Sequence, residues 1–80
     1  MTLTILYFAA VRDLVGKDEE RIDFGGGTIA DLSVQLQARH PSLAGRLGSV
    51  RFARNEEFAQ IAGALGAGDV VALIPPVAGG

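Results

Sequence analysis

Apolar and polar positions alternate along the chain in short runs separated by glycine and charge. From Thr2 to Phe8, Leu3, Ile5 and Tyr7 alternate with Thr2, Thr4, Leu6 and Phe8, and β-branched and aromatic residues dominate, which predicts a strand. Ala9 to Val15 suits a turn of helix closed by Gly16. Arg21 to Phe24 alternates again, with Ile22 and Phe24 on one face and Arg21 and Asp23 on the other. Two such runs in series suggest an antiparallel pair with a wide connection. Gly25-Gly26-Gly27 then interrupts the pattern. Thr28 is a good N-cap, and Asp31 stands at the third helical position, where a carboxylate suits the helix dipole. Ile29, Leu32 and Leu36 recur at helical spacing, so a helix is expected to run to His40 and stop before Pro41.

Leu43 and Leu47 lie in a Gly-punctuated stretch that suits a short helical turn, and Val50 to Arg54 alternates as a third strand. Asn55-Glu56-Glu57 is turn-like, Phe58 to Ile61 suits a short strand, and Gly66, Gly68 and Asp69 form another turn. Val70 to Ile74 is continuously apolar, as in a strand covered on much of both faces. The order is therefore ββα followed by two or three strands. A single helix must lie across one face of a mixed sheet. The apolar last strand belongs in the middle, beside the first, and parallel pairing there needs the helical crossover that the sequence supplies. This is the α+β arrangement called β-grasp, expected over 1–74, with an extended tail over 75–80.

Composition narrows the chemistry. Eighty residues suit one domain with a small core, and 49% apolar content is globular. No cysteine is present, which excludes disulfides, thiolate metal sites and cysteine nucleophiles. The net charge is −2, and the bases Arg12, Lys17, Arg21, Arg39, Arg46, Arg51 and Arg54 are scattered, so no nucleic-acid partner is expected. No apolar run is long enough to span a membrane, and the expectation is a cytoplasmic domain.

Side-chain chemistry is sparse. Gly25-Gly26-Gly27-Thr28 precedes a helix but lacks the lysine and spacing of a phosphate loop, and reads as a turn and cap. His40, the single histidine, has no second ligand to share a metal, and sits where a helix C-terminus favours imidazolium. Ser33, Ser42 and Ser49 have no histidine suitably placed, and Asp18-Glu19-Glu20 reads as a solvated turn. No metal and no resident cofactor are expected.

The unusual feature is the end. After Glu57 the only charged side chain is Asp69, and the chain finishes Val71-Ala72-Leu73-Ile74-Pro75-Pro76-Val77-Ala78-Gly79-Gly80. Six residues from Pro75 would extend about 19 Å at about 3.1 Å per residue. Pro75 and Pro76 stiffen the root, while Gly79 and Gly80 lack a Cβ, so a narrow channel could admit the backbone and terminal carboxylate. Such a carboxylate can be activated as an acyl-adenylate and attacked by a nucleophile.

Leu6-Tyr7-Phe8-Ala9-Ala10-Val11-Arg12-Asp13-Leu14-Val15-Gly16, Ala53-Arg54-Asn55 and Gly68 to Gly80 resemble the small subunit of molybdopterin synthase, within the ubiquitin-like sulfur carriers. The resemblance covers essentially the whole chain, and Pro-Pro-Val-small-Gly-Gly is its specific part. It implies that the Gly80 carboxylate is adenylated with ATP by an activating enzyme and converted to a thiocarboxylate with a sulfur donor. The tail, Pro75, Pro76, Val77, Ala78, Gly79 and Gly80, would then enter the large synthase subunit. There the sulfur would pass to a cyclic pyranopterin monophosphate during molybdenum cofactor biosynthesis. Two small and two large subunits would form a heterotetramer, whose catalytic side chains belong to the large subunit.

Docking residues follow in part from the pattern. Phe8 falls on the opposite strand face from Leu3, Ile5 and Tyr7, Phe58 follows two acidic turn residues, and Ile74 ends the central strand. An apolar trio at the tail's exit would serve as a partner patch, as family interface positions imply, or else complete a small core. Arg12 matches a family arginine that pairs with partner acids, or is a solvated helix charge. Three other functions stay open: a thiamine-type sulfur carrier, a ubiquitin-like modifier of proteins, and a plain binding module with an inert tail.

Overall fold

The computed structural model describes residues 1–76. Its elements are β1 (Thr2–Tyr7), α1 (Ala9–Val15), β2 (Glu19–Asp23), β3 (Gly27–Thr28), α2 (Ile29–Arg39), β4 (Arg51–Arg54), β5 (Glu57–Ala59), β6 (Ala64–Leu65) and β7 (Val70–Ile74), with a 3-10 turn at Pro41–Leu43. Five strands form one mixed sheet in the order β2-β1-β7-β4-β5. The last strand lies in the middle, parallel to β1 with Leu6 opposite Ala72, and antiparallel to β4 with Ala53 opposite Ala72. The expected β-grasp topology is present.

Strand alternation decides what each sheet face does. Leu3, Ile5 and Tyr7 of β1, Val71 and Leu73 of β7, Ile22 of β2 and Phe52 of β4 are all buried, and they pack with Ile29, Leu32 and Leu36 of α2. Each such side chain contributes roughly 1.5–3 kcal/mol by leaving water. Leu43 and Leu47 close the open end of this core.

Local signals fix the helix ends. Gly16 closes α1 at φ 88°, a left-handed conformation that glycine adopts without a Cβ clash. At α2 the Thr28 hydroxyl accepts the Asp31 N–H while the Asp31 carboxylate accepts the Thr28 N–H, a reciprocal cap. Gly27 precedes it with φ 129°, and a Cβ there would run into that same Asp31 carboxylate. The glycine run is thus a turn shaped around a cap. β3 and β6 form a separate two-stranded ladder below it, too short to leave a periodic signal in the sequence.

Some sequence expectations need correction. Glu20 does not belong to a solvated turn: it is buried in β2, because its carboxylate has three donors waiting. β7 is covered on much of both faces as expected, with Val71 and Leu73 buried and Val70, Ala72 and Ile74 half-buried along an open groove. The third strand begins at Arg51 instead of Val50, and the short strand covers Glu57–Ala59 instead of Phe58 to Ile61, with Ile61 exposed.

Candidate functional site

The sheet face turned away from α2 has no helix over it. Register places Leu6, Ala72, Ala53 and Phe58 in one row across β1, β7, β4 and β5. Large side chains stand at both ends of this row and alanines in its middle, so the row sinks into a groove of about 300 Å³. Phe8 and Ile74 line the same groove. Phe8 leaves β1 beside the end of β7, where Tyr7 pairs with Leu73, and caps α1 through its carbonyl, which accepts the Val11 N–H. Ala9 follows it at φ 47°.

The three residues expected at a docking patch therefore converge, although they come from three separate segments. Phe8 is 45% exposed and Phe58 59% exposed, so neither completes the core. The Arg51 guanidinium lies 3.8 Å from the Phe58 ring centroid and holds that ring by a cation–π contact. Arg12 is exposed, one turn along α1 from Phe8, and does not line the groove. Pro75 and Pro76 directly follow β7. Val77, Ala78, Gly79 and Gly80 lie outside the described residues.

Single-residue inspection of the sequence misses the groove's small floor. Ala53 and Ala72 carry no chemical signal alone, and only the register shows that they face each other between aromatic walls.

Two polar clusters brace the sheet. Asp69 accepts the Gly66 N–H at 2.7 Å, Arg54 Nε at 2.7 Å and Asn55 Nδ2 at 3.0 Å, which ties the β4–β5 turn to the start of β7. The Gly66 amide above all, then Asn55 and Arg54, hold its carboxyl down at about 2. On the other flank Glu20 accepts from Tyr7, Arg39 and His40. Burial opposes its ionisation, but these donors outweigh it and keep its carboxyl below the ordinary range. Burial, together with the neighbouring carboxylate, pushes the Tyr7 hydroxyl well up. Each carboxylate is thus held by three donors of its own fold.

Among the described residues no group of His, Asp or Glu could hold a metal ion, and no helix is long and apolar enough to cross a membrane. A larger hollow of about 460 Å³ beside α2, lined by Ser33, Gln37 and Leu47 among others, gathers no titratable side chain. What the described surface offers is an apolar groove next to the strand that leads into Pro75 and Pro76.

A β-grasp sheet of this order defines a ubiquitin-like module. The chain belongs to the ThiS family, whose model matches residues 5–80. It is 40% identical over 83 residues to the molybdopterin synthase sulfur carrier subunit of Chlamydomonas reinhardtii, covering all of both chains. The crystal structure of small archaeal modifier protein 1 of Haloferax volcanii superposes with a TM-score of 0.86 at 30% identity, covering 95% of this chain and 98% of that one. A complex of subunits 1 and 2 of the molybdopterin-converting factor of Helicobacter pylori contains a chain similar at a TM-score of 0.73 and 26% identity, covering all of both chains.

Proposed function

We propose that this chain is the sulfur carrier subunit of a molybdopterin synthase, with Gly80 as the carrying residue. An activating enzyme joins the Gly80 carboxylate to the α-phosphorus of ATP and releases pyrophosphate. Sulfide from a donor then displaces AMP at the carbonyl carbon, leaving a terminal thiocarboxylate. The tail from Pro75 to Gly80 enters the large subunit, where the thiocarboxylate gives its sulfur to a cyclic pyranopterin monophosphate. Two small and two large subunits assemble for this step, and the chain itself keeps no cofactor.

What carries this proposal is the convergence of Phe8, Phe58 and Ile74 on one groove at the end of the strand that runs into Pro75-Pro76. A surface of that kind suits a docking partner that must also receive the tail. The similarity to a sulfur carrier subunit over its full length supports the same reading, as does the similarity to a subunit solved in complex with its partner. In this assignment Phe8, Phe58 and Ile74 seat against the large subunit, and Arg12 meets acidic groups at its edge.

A second reading is a protein modifier, favoured by the likeness to the archaeal modifier protein. The same activated Gly80 would then be attacked by a lysine amine, giving an isopeptide bond and AMP. Incubation with ATP, an activating enzyme and a sulfur donor, followed by intact mass measurement, tests both. The expected product has one oxygen replaced by sulfur, and it is lost when Gly80 is deleted. A truncated chain that still carries and transfers sulfur would sink the mechanism. Lysine-linked adducts without a sulfur-bearing product would establish the modifier instead.

A further inference from the structure

Glu56 stands where the backbone does not favour it. It is the second central residue of the two-residue turn between β4 and β5, at φ 72°, after Asn55 at φ 49°. A turn with both central residues in the left-handed region favours asparagine followed by glycine. Asn55 fits, and its side chain is occupied: Nδ2 donates to Asp69, and Oδ1 accepts the Val70 N–H at 3.0 Å. Glu56 has no comparable role, because it makes no salt bridge among the described residues. Among the described residues it is nevertheless the one charged residue lining the apolar groove.

The nearby cations are engaged elsewhere. Arg54 is held by Asp69 at 2.7 Å, and Arg51 is stacked on Phe58. Glu57, the neighbouring acid, pairs across the ladder with Arg54 and does not line the groove. A strained carboxylate on an apolar rim, with no partner among the described residues, is explained by a group outside the domain.

We propose that Glu56 is a recognition residue: its carboxylate receives a lysine or arginine carried by the docking partner beside the apolar side chain that fills the groove. This rests on the reading of the groove as the docking surface for the large subunit. The partner's contact surface is thus amphipathic, with an apolar knob over Ala53 and Ala72 and a cation at its β5 side.

The test compares wild type, Glu56→Gln and Glu56→Gly. The probe is the large subunit of molybdopterin synthase from the same source, titrated at low and at raised salt, with thermal unfolding followed in parallel. Both variants are expected to bind about fivefold to tenfold more weakly at low salt, and to lose part of the salt dependence. Glu56→Gly is expected to unfold at a higher temperature than wild type, because glycine relieves the positive φ. Greater stability with weaker binding is a combination that a purely structural role does not give. Equal affinity and equal salt dependence for wild type and Glu56→Gln overturn the proposal while leaving the large-subunit reading in place. A wild-type chain that fails to bind the large subunit overturns both.

Discussion

The Tyr7 hydroxyl donates to Glu20 Oε2 at 2.7 Å inside the core, and the oxygen it reaches is also held by His40 Nε2 at 2.6 Å. Arg39 Nε takes the other carboxylate oxygen at 2.7 Å. One buried acid therefore ties β1, β2 and the end of α2 together. It does so next to Phe8, the residue that follows Tyr7 into the groove.

Removing the two partners should have unequal effects. Tyr7→Phe keeps the ring and leaves Glu20 two donors, so a loss of about 1 kcal/mol is expected. Glu20→Ala strands the buried Tyr7 hydroxyl and leaves Arg39 and His40 without their acceptor, and a loss of about 3 kcal/mol is expected. Urea unfolding of the two variants measures the difference. Equal losses would show that the carboxylate does not organise the cluster.

Acid should weaken the fold in a defined window. The Asp69 carboxyl titrates at about 2 in the folded chain, below the value near 3.9 expected for an unfolded aspartate. The ionised form is thus favoured by folding, its stabilisation is complete above about pH 4, and it is lost as pH falls toward 2. Unfolding midpoints measured between pH 5 and pH 2 should fall more steeply for wild type than for Asp69→Asn. Glu20, shifted in the same direction, supplies a residual slope in that variant.

Charge introduced on the groove should separate docking from folding. Phe8→Asp and Phe58→Asp replace side chains that are already substantially exposed, so thermal unfolding should shift little. Binding to the large subunit should weaken by tenfold or more, as for an aromatic anchor at an interface. Normal binding by both variants would remove the groove from the docking surface.

Much of the fold is legible in the sequence because its signals are local. The alternation of Leu3, Ile5 and Tyr7, the Thr28–Asp31 cap and the left-handed Gly16 each fix an element within a few residues. The uncharged run of β7 places it centrally, as the ladders with β1 and β4 bear out. Long-range pairing is what local reading cannot supply. Glu20 looks solvated until Tyr7, Arg39 and His40 are brought to it, and Asp69 looks like a turn residue until Arg54 and Asn55 arrive. The groove is intermediate: Phe8, Phe58 and Ile74 stand out by type, whereas the alanine floor exists only through register.

The central place of β7 also has a mechanical side. The chain beyond Pro76 is anchored to a strand hydrogen-bonded along both edges, to β1 on one and β4 on the other. A pull on the C-terminus along the strand axis loads both ladders in shear, many bonds sharing the force at once. A peripheral strand would instead peel away one bond at a time. If the tail is drawn into a partner and withdrawn again, as proposed above, this placement protects the domain against being unravelled by its own handle.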